Sequence, residues 1–354
     1  MNLLDRTPAE AASAVERWLA DRGEPTYRSR QILPRLWQRP VVTWRDATDL
    51  PQTLRAALDE EHPLPRPAMA ARQVSTDGTV KFLWDFPEGG AVESVLIPEG
   101  TRRTLCISSQ AGCAYGCTFC ATGRMGFIRH LATWEIVAQV REMAFDPDIG
   151  LPSNVVFMGM GEPLHNWDAV DRALTVLNDP QGMGIGARHI TVSTVSLIPK
   201  LEKLAARPEQ FRVALSLHAP TGARRQLLMP VERKYPLKDV LEVLQRFPRR
   251  VTFEYVMIRG VNDRPQDAAE LARHARALGA MVNLLPLHPG GAPGMEATAP
   301  ADIERFAQLL RDRGVNATVR RSRGLDISAA CGQLRTQVDQ GNGIVSQKDA
   351  GIEE

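Results

Sequence analysis

The loop QAGCAYGCTFCATG, Gln110 to Gly123, sets Cys113, Cys117 and Cys120 in a C-x3-C-x2-C pattern. Soft thiolates suit iron–sulfur chemistry, and three on one short loop can hold three corners of a cubane cluster. The fourth iron then keeps an open position for a substrate. Gly112, Gly116 and Gly123 flank the thiols and let the chain bend closely round an inorganic core. The competing reading is a zinc site, which asks for a fourth ligand that His130 could supply. The chain has five cysteines, an odd number that argues against a disulfide framework and for metal or catalytic thiols. Of the remaining two, Cys106 lies on the segment feeding the loop and Cys331 far downstream in DISAACGQLR. From the residues alone each is either a small buried hydrophobe or a functional thiol.

A second set of polar residues falls at the ends of apolar segments. The word GMGEP, Gly159 to Pro163, carries Gly161 and Glu162: glycines for close backbone approach and a carboxylate to accept from an amino group. The alternative is a tight turn with an exposed acid. Ser193, the Ser216-Leu217-His218 run and His288 sit likewise, and ordinary strand-end polarity is their bland reading. Glu93, in VESVLIPEG, reads alone as a solvated strand residue.

These residues need a frame. From Thr104 onward, apolar strands alternate with helical periodicities. Strands are expected at 104–108, 154–158, 189–194, 212–217, 251–257, 281–285 and 317–320. Helices are clearest at 133–144, 167–178, 237–247, 265–278 and 300–313. Repeated βα units with nearly continuous apolar strands mean a parallel sheet, open or curled into a full or partial barrel, with its chemistry at the C-terminal strand ends. The first 72 residues read as a helical accessory unit, with helices at 9–21, 29–38 and 50–61. Thr7 and Glu10 form a capping box for the first, and Asp49 caps the third. The proline-rich stretch 62–71 reads as a linker, and residues 73–99 as a hairpin extension with strands at 79–85 and 91–97. The core then spans 100–339, and the polar segment 340–354 is expected to be a mobile tail.

Composition adds limits. The 354 residues are 44% hydrophobic and 24% charged, ordinary for a globular protein. No apolar run reaches the roughly 18 residues a membrane span needs. The N-terminal segment lacks the apolar stretch of a signal peptide, so a cytoplasmic location without membrane association is expected. The net charge of +2 is nearly neutral, but Arg102-Arg103, Arg224-Arg225, Arg249-Arg250 and Arg320-Arg321-Ser322-Arg323 cluster in ways that suit phosphate contacts.

The cysteine loop, with Phe119 before its last thiol, resembles the radical S-adenosylmethionine (SAM) superfamily. Together with SSQAGC (108–113), FMGMGEPL (157–164), SLHAP (216–220) and AACGQLR (329–335), it is similar to the RlmN/Cfr family of radical SAM rRNA methyltransferases. The resemblance implies an α/β fold, a partial (β/α) barrel with a small helical N-terminal domain. It also implies a [4Fe–4S] cluster on Cys113, Cys117 and Cys120. SAM, two per turnover, would be held by Gly161, Glu162, Ser193, Ser216, Leu217, His218 and His288. His288 stands where the family usually has Asn, and Ser328 where an acid is common. The implied reaction methylates carbon 2 of an adenosine in 23S rRNA, with tRNA as a further substrate, or carbon 8 in the sister activity. Cys331 would carry the methyl group, Cys106 would resolve a covalent protein–RNA adduct, and Glu93 would accept a proton. An electron donor of the flavodoxin or ferredoxin type is implied as partner. The rival readings are a radical SAM enzyme with another substrate and a non-catalytic RNA-binding protein with a structural metal.

Overall fold

The computed structural model describes residues 2–247, 251–288 and 292–334. Arg249-Arg250, the end of the AACGQLR word and the expected tail lie outside the described residues. Among those described, no helix is long and apolar enough to cross a membrane.

Helix α1 (Pro8–Ala20) starts where Thr7 Oγ1 accepts from the Glu10 amide and the Glu10 carboxylate accepts from the Thr7 amide. This reciprocal box gives two otherwise unpaired backbone N–H donors at the helix start their acceptors. Its Ala11, Val15, Trp18 and Leu19 are buried. The second expected helix is interrupted: α2 (Ser29–Ile32) passes into a 3-10 turn at Leu33–Arg35. Pro34 has no amide to continue an α-helical ladder. The third, α3 (Gln52–Glu61), begins later than expected, after Pro51 and without a side-chain cap. Asp49 pairs instead with Arg35 at 2.7 Å, so the capping role read from sequence is incorrect.

The unit docks on the core through Arg141, whose buried guanidinium donates to the carbonyls of Leu36 (2.9 Å) and Val41 (2.6 Å). Asp5 adds a bond from the Trp134 amide at 3.0 Å.

The stretch read as a linker ends in a strand, β1 (Ala68–Val74), mostly exposed along its length. An edge strand of this kind shows no alternating apolar face, so periodicity cannot find it. It pairs antiparallel with β2 (Val80–Asp85), β2 with β3 (Val92–Glu99), and β3 with β4 (Arg102–Cys106). After β4 a small ribbon forms from β5 (Gln110–Gly112) and β6 (Phe127–His130), with the short α4 (Ala121–Met125) between them.

The parallel part follows: α5 (Thr133–Arg141), β7 (Asn154–Phe157), α6 (Trp167–Asn178), β8 (Ile190–Thr194), α7 (Ile198–Ala206), β9 (Arg212–Ser216), α8 (Gly222–Leu228), α9 (Leu237–Gln245), β10 (Val251–Met257), α10 (Pro265–Leu278), β11 (Met281–Pro286), α11 (Pro300–Arg311) and β12 (Ala317–Val319). The ten-stranded sheet runs β1-β2-β3-β4-β7-β8-β9-β10-β11-β12, parallel from β4 onward. All seven core strands read from the sequence are present, with ends moved by a few residues. Side chains from β7 through β11 line one cleft, so the sheet is curled into a partial barrel.

Its two edges, β1 and β12, are bridged by the segment after β12. Asp326 accepts from Ser75 Oγ (2.5 Å) and the Thr76 amide (3.0 Å), and the Gly324 amide donates to Asp77 (3.0 Å).

Candidate active site

The cleft at the C-terminal strand ends takes in all three loop cysteines and Cys331. Gly161, Glu162, Ser193, Ser216, His218 and His288 also line it. Three of the expected site residues, Leu217, Glu93 and Cys106, do not. Leu217 is wholly buried, its amide donating to the Glu254 carbonyl at 3.1 Å. Glu93 is buried on β3, paired with Lys81 at 3.1 Å, and is not the solvated residue its strand position alone suggested.

The cysteine loop is shaped by a close backbone crossing. Gly112 has φ +71°, and a Cβ there would come 2.0 Å from the Gly126 carbonyl, whose oxygen accepts from the Cys113 amide at 2.8 Å. Burial pushes the Cys113 thiol up to about 12 and Cys117 well above its ordinary value. Buried thiols of this kind ionise only beside compensating cations, which suits three thiolates ligating iron.

His130, the possible fourth ligand of a zinc site, is engaged elsewhere. Gln110 Nε2 donates to Nδ1 of both His130 and His165 at 3.0 Å, while its Oε1 accepts from the Glu162 amide at 2.8 Å. That amide can only donate, so the Gln110 orientation is settled and both imidazoles carry their proton on Nε2. Among the described residues no three His, Cys, Asp or Glu side chains converge on a single-ion site.

In the GMGEP turn, Gly161 has φ +96°, and a Cβ there would lie 2.5 Å from the Gln110 side chain. Glu162 is buried, and burial lifts its carboxyl to about 7. Hydrogen bonds oppose that rise: Thr194 Oγ1 (2.6 Å), the Val195 amide (2.8 Å) and the Leu164 amide (3.0 Å) all donate to it. The carboxylate is held rigidly at the cleft wall with acceptor capacity left over.

His218 has φ +55°, and its Nδ1 accepts from the Val256 amide at 3.0 Å. Its proton is therefore on Nε2, and burial holds the ring neutral by pushing it down to about 3. Phe119 of the cysteine loop packs edge-on against it, 4.6 Å between centroids. Ser193 Oγ and Ser216 Oγ lie 3.5 Å apart. His288 bonds through Nε2 to Ser322 Oγ, which ties the rim to the segment after β12.

Cys331 is exposed, but into the cleft. Its neighbours are clamped to the cysteine loop: the Ala121 amide donates to the Gly332 carbonyl (2.8 Å) and Thr122 Oγ1 to the Leu334 carbonyl (2.6 Å). Cys106 is buried at the end of β4, close enough to Cys331 that the charge of one raises the other. Burial lifts Cys106 to about 12, and the nearby Arg320 guanidinium opposes this for both thiols. Both are free cysteines.

Ser328 takes φ +51°, and Asp326, two residues earlier, supplies the acid that holds this segment. Arg225, read as surface charge, is instead wholly buried and paired with Glu232 at 2.6 Å; Arg224 pairs with Asp267. One carboxylate in the cleft was not anticipated: Glu254, an acid in the middle of the apolar strand VTFEYVM. A single carboxylate on the inward parity of a buried strand was the available clue.

Comparison with known proteins agrees with this geometry. The radical SAM superfamily profile matches residues 107–272. A probable dual-specificity RNA methyltransferase RlmN of Gemmatimonas aurantiaca is 55% identical over 336 residues, 95% of this chain and 93% of its own. This chain belongs to the RlmN family of radical SAM methyltransferases. The dual-specificity RNA methyltransferase RlmN of Anaeromyxobacter dehalogenans is 43% identical over 354 residues, 96% of this chain and 95% of that one. The crystal structure of a radical SAM methyltransferase from Sphaerobacter thermophilus, 45% identical, superposes with a TM-score of 0.89 over 95% of this chain and 99% of that one. Membership of the RlmN family brings a [4Fe–4S] cluster and SAM as cofactors, and the three thiols facing one cleft from a glycine-bent loop fit the cluster.

Proposed function

We propose that this protein methylates carbon 2 of an adenosine in 23S rRNA, and of an adenosine in tRNA, with Cys331 as methyl carrier. The observation that supports it best is that Cys331 shares one cleft with the three loop cysteines, while the Cys331 charge raises the Cys106 thiol buried on β4. An aromatic carbon is too poor a nucleophile for direct methyl displacement, so a carrier thiol beside a radical source answers a chemical need.

Bound on Cys113, Cys117 and Cys120, a [4Fe–4S] cluster would supply the electron for reductive cleavage of SAM, and a second SAM would supply the methyl group. The chain's own residues then do the following. Glu162 accepts from the SAM amino group, with Gly161 allowing backbone approach. Ser193, Ser216 and the His218 Nε2–H supply hydrogen bonds round the same molecule, with Leu217 holding their backbone, and His288 closes the rim. Arg320 favours the Cys331 thiolate as it takes up the methyl group. After the carbon–carbon bond has formed on the methyl group held by Cys331, the Cys106 thiolate attacks the Cys331 sulfur. The S–S bond forms as the sulfur–methylene bond breaks; the electron pair leaves on the methylene carbon, which takes up a proton and becomes the methyl group of the freed base. Glu93 serves as proton acceptor: it pairs with Lys81 at 3.1 Å and shares a sheet face with Cys106 through Val95, the cross-strand partner of Cys106. A flavodoxin or ferredoxin provides the electron.

The test is anaerobic reconstitution with SAM, a reductant and unmodified 23S rRNA and tRNA, then digestion and mass spectrometry of the nucleosides. A 2-methyladenosine peak is expected. An 8-methyladenosine peak, or SAM cleavage with no methylated adenosine, overturns the carbon-2 assignment.

A further inference from the structure

We propose that Glu254 marks an adenosine subsite in the cleft, its carboxylate accepting from ribose hydroxyl. This rests on the proposed use of SAM and RNA, and nothing above assigns Glu254 a role. Its residue is only 4% exposed, yet it lines the cleft. One oxygen, Oε1, accepts from Asn283 Nδ2 at 2.9 Å. The other, Oε2, has no hydrogen-bond partner among the described residues, and Arg320 stands off at 3.8 Å. A buried carboxylate oxygen left unsatisfied is costly, so a donor is expected to arrive with the ligand.

The surroundings say which donor. Glu254 stands directly opposite Ser216 on β9 and Asn283 on β11, which makes a polar row across three neighbouring strands. Two residues further along the same strands, Val256 stands opposite Leu285, both lining the cleft. Row and wall together set polar groups beside an apolar surface. Adenosine has that pattern: a hydroxylated ribose joined to an apolar-faced purine. A carboxylate accepting from ribose hydroxyl is a recurrent solution for nucleotides in α/β folds. A cationic ligand group fits less well, because Arg320 already faces the same oxygen. The adenosine has two sources, SAM or the RNA nucleotide, and they share this chemistry.

The experiment measures binding with reconstituted protein and no turnover, so it reads independently of which carbon is methylated. On the wild type, S-adenosylhomocysteine is compared with its 2′-deoxy analogue, and a 23S rRNA fragment with one carrying 2′-deoxyadenosine at the target. The same ligands are then measured on Glu254→Gln and Glu254→Ala, with iron content as the control. In one of the two pairs the deoxy ligand should bind the wild type about tenfold more weakly, the size of a charge-assisted hydrogen bond. That difference should shrink to about twofold or less in both variants. A deficit confined to the homocysteine pair assigns the subsite to SAM; one confined to the RNA pair assigns it to the target nucleotide. If neither deoxy ligand is weakened on the wild type, or the deficit persists undiminished in the variants, the proposal is overturned. The wild-type arm stands even if a variant fails to fold.

Discussion

Cys331 and Cys106 carry different duties in the proposed chemistry, and single substitutions separate them. Cys331→Ala should reduce methylation below detection while SAM cleavage and iron content stay near the wild type; methylation by this variant would refute the carrier role. Cys106→Ala should leave the base attached, seen as an RNA-shifted protein band that survives denaturation. Arg225 has a structural duty. Its guanidinium is wholly buried against Glu232 and donates to the Val195 carbonyl at 2.9 Å. Arg225→Met leaves Glu232 buried without its cation, at a cost of about 3–5 kcal/mol. A lowered urea midpoint checks this, and an unchanged one would show that Glu232 finds another partner or is protonated.

Among the elements, the GMGEP turn couples most directly to function. Gly161 combines a left-handed backbone with contact against Gln110, and Gln110 in turn holds the Glu162 amide. Gly161→Ala adds strain of about 1–3 kcal/mol and shifts Glu162 from the cleft wall. Affinity for S-adenosylhomocysteine should fall about tenfold, more than the loss of stability alone explains. The start of α1 offers a contrast, being a helix end remote from the cleft residues. Thr7→Ala breaks the capping box and should cost about 1 kcal/mol in thermal unfolding, leaving that affinity unchanged.

Across the whole molecule, two long-range ties hold the parts together. The N-terminal unit sits on the barrel through Arg141, and Arg141→Leu strands the Leu36 and Val41 carbonyls. Loss of about 2–5 kcal/mol follows from two unsatisfied buried acceptors, and limited proteolysis should then cut first between 33 and 50. The second tie joins the cysteine loop to the Cys331 segment through Ala121–Gly332 and Thr122–Leu334. Removing iron with a chelator should loosen residues 113–124 and 329–334 together, read as faster hydrogen exchange in both. Loosening of the first alone would show that the Cys331 segment is held by its Asp326 contacts instead.

Much of this was legible in the chain itself. Thiol spacing on one loop is a local property, so Cys113, Cys117 and Cys120 could be read as a ligand set without knowing the fold. The seven core strands were equally plain, because strands buried on both faces are continuous apolar runs. Thr7 and Glu10 announced a helix start because a capping box is written in four consecutive residues. What depended on distant partners was not legible. Asp49 looked like a cap but pairs with Arg35, and Arg225 looked like surface charge but is buried against Glu232. The strand at Ala68–Val74 hid behind prolines, since an edge strand is defined by the neighbour it pairs with. Glu254 became a site residue only when curling of the sheet turned its carboxylate into the cleft. The chain alone settled which atoms can ligate iron and which segments build the sheet, because both follow from short-range pattern. Only the tertiary structure decided that Cys331 lies in the cleft of the loop cysteines, because that depends on the segment after β12 folding back onto the cysteine loop.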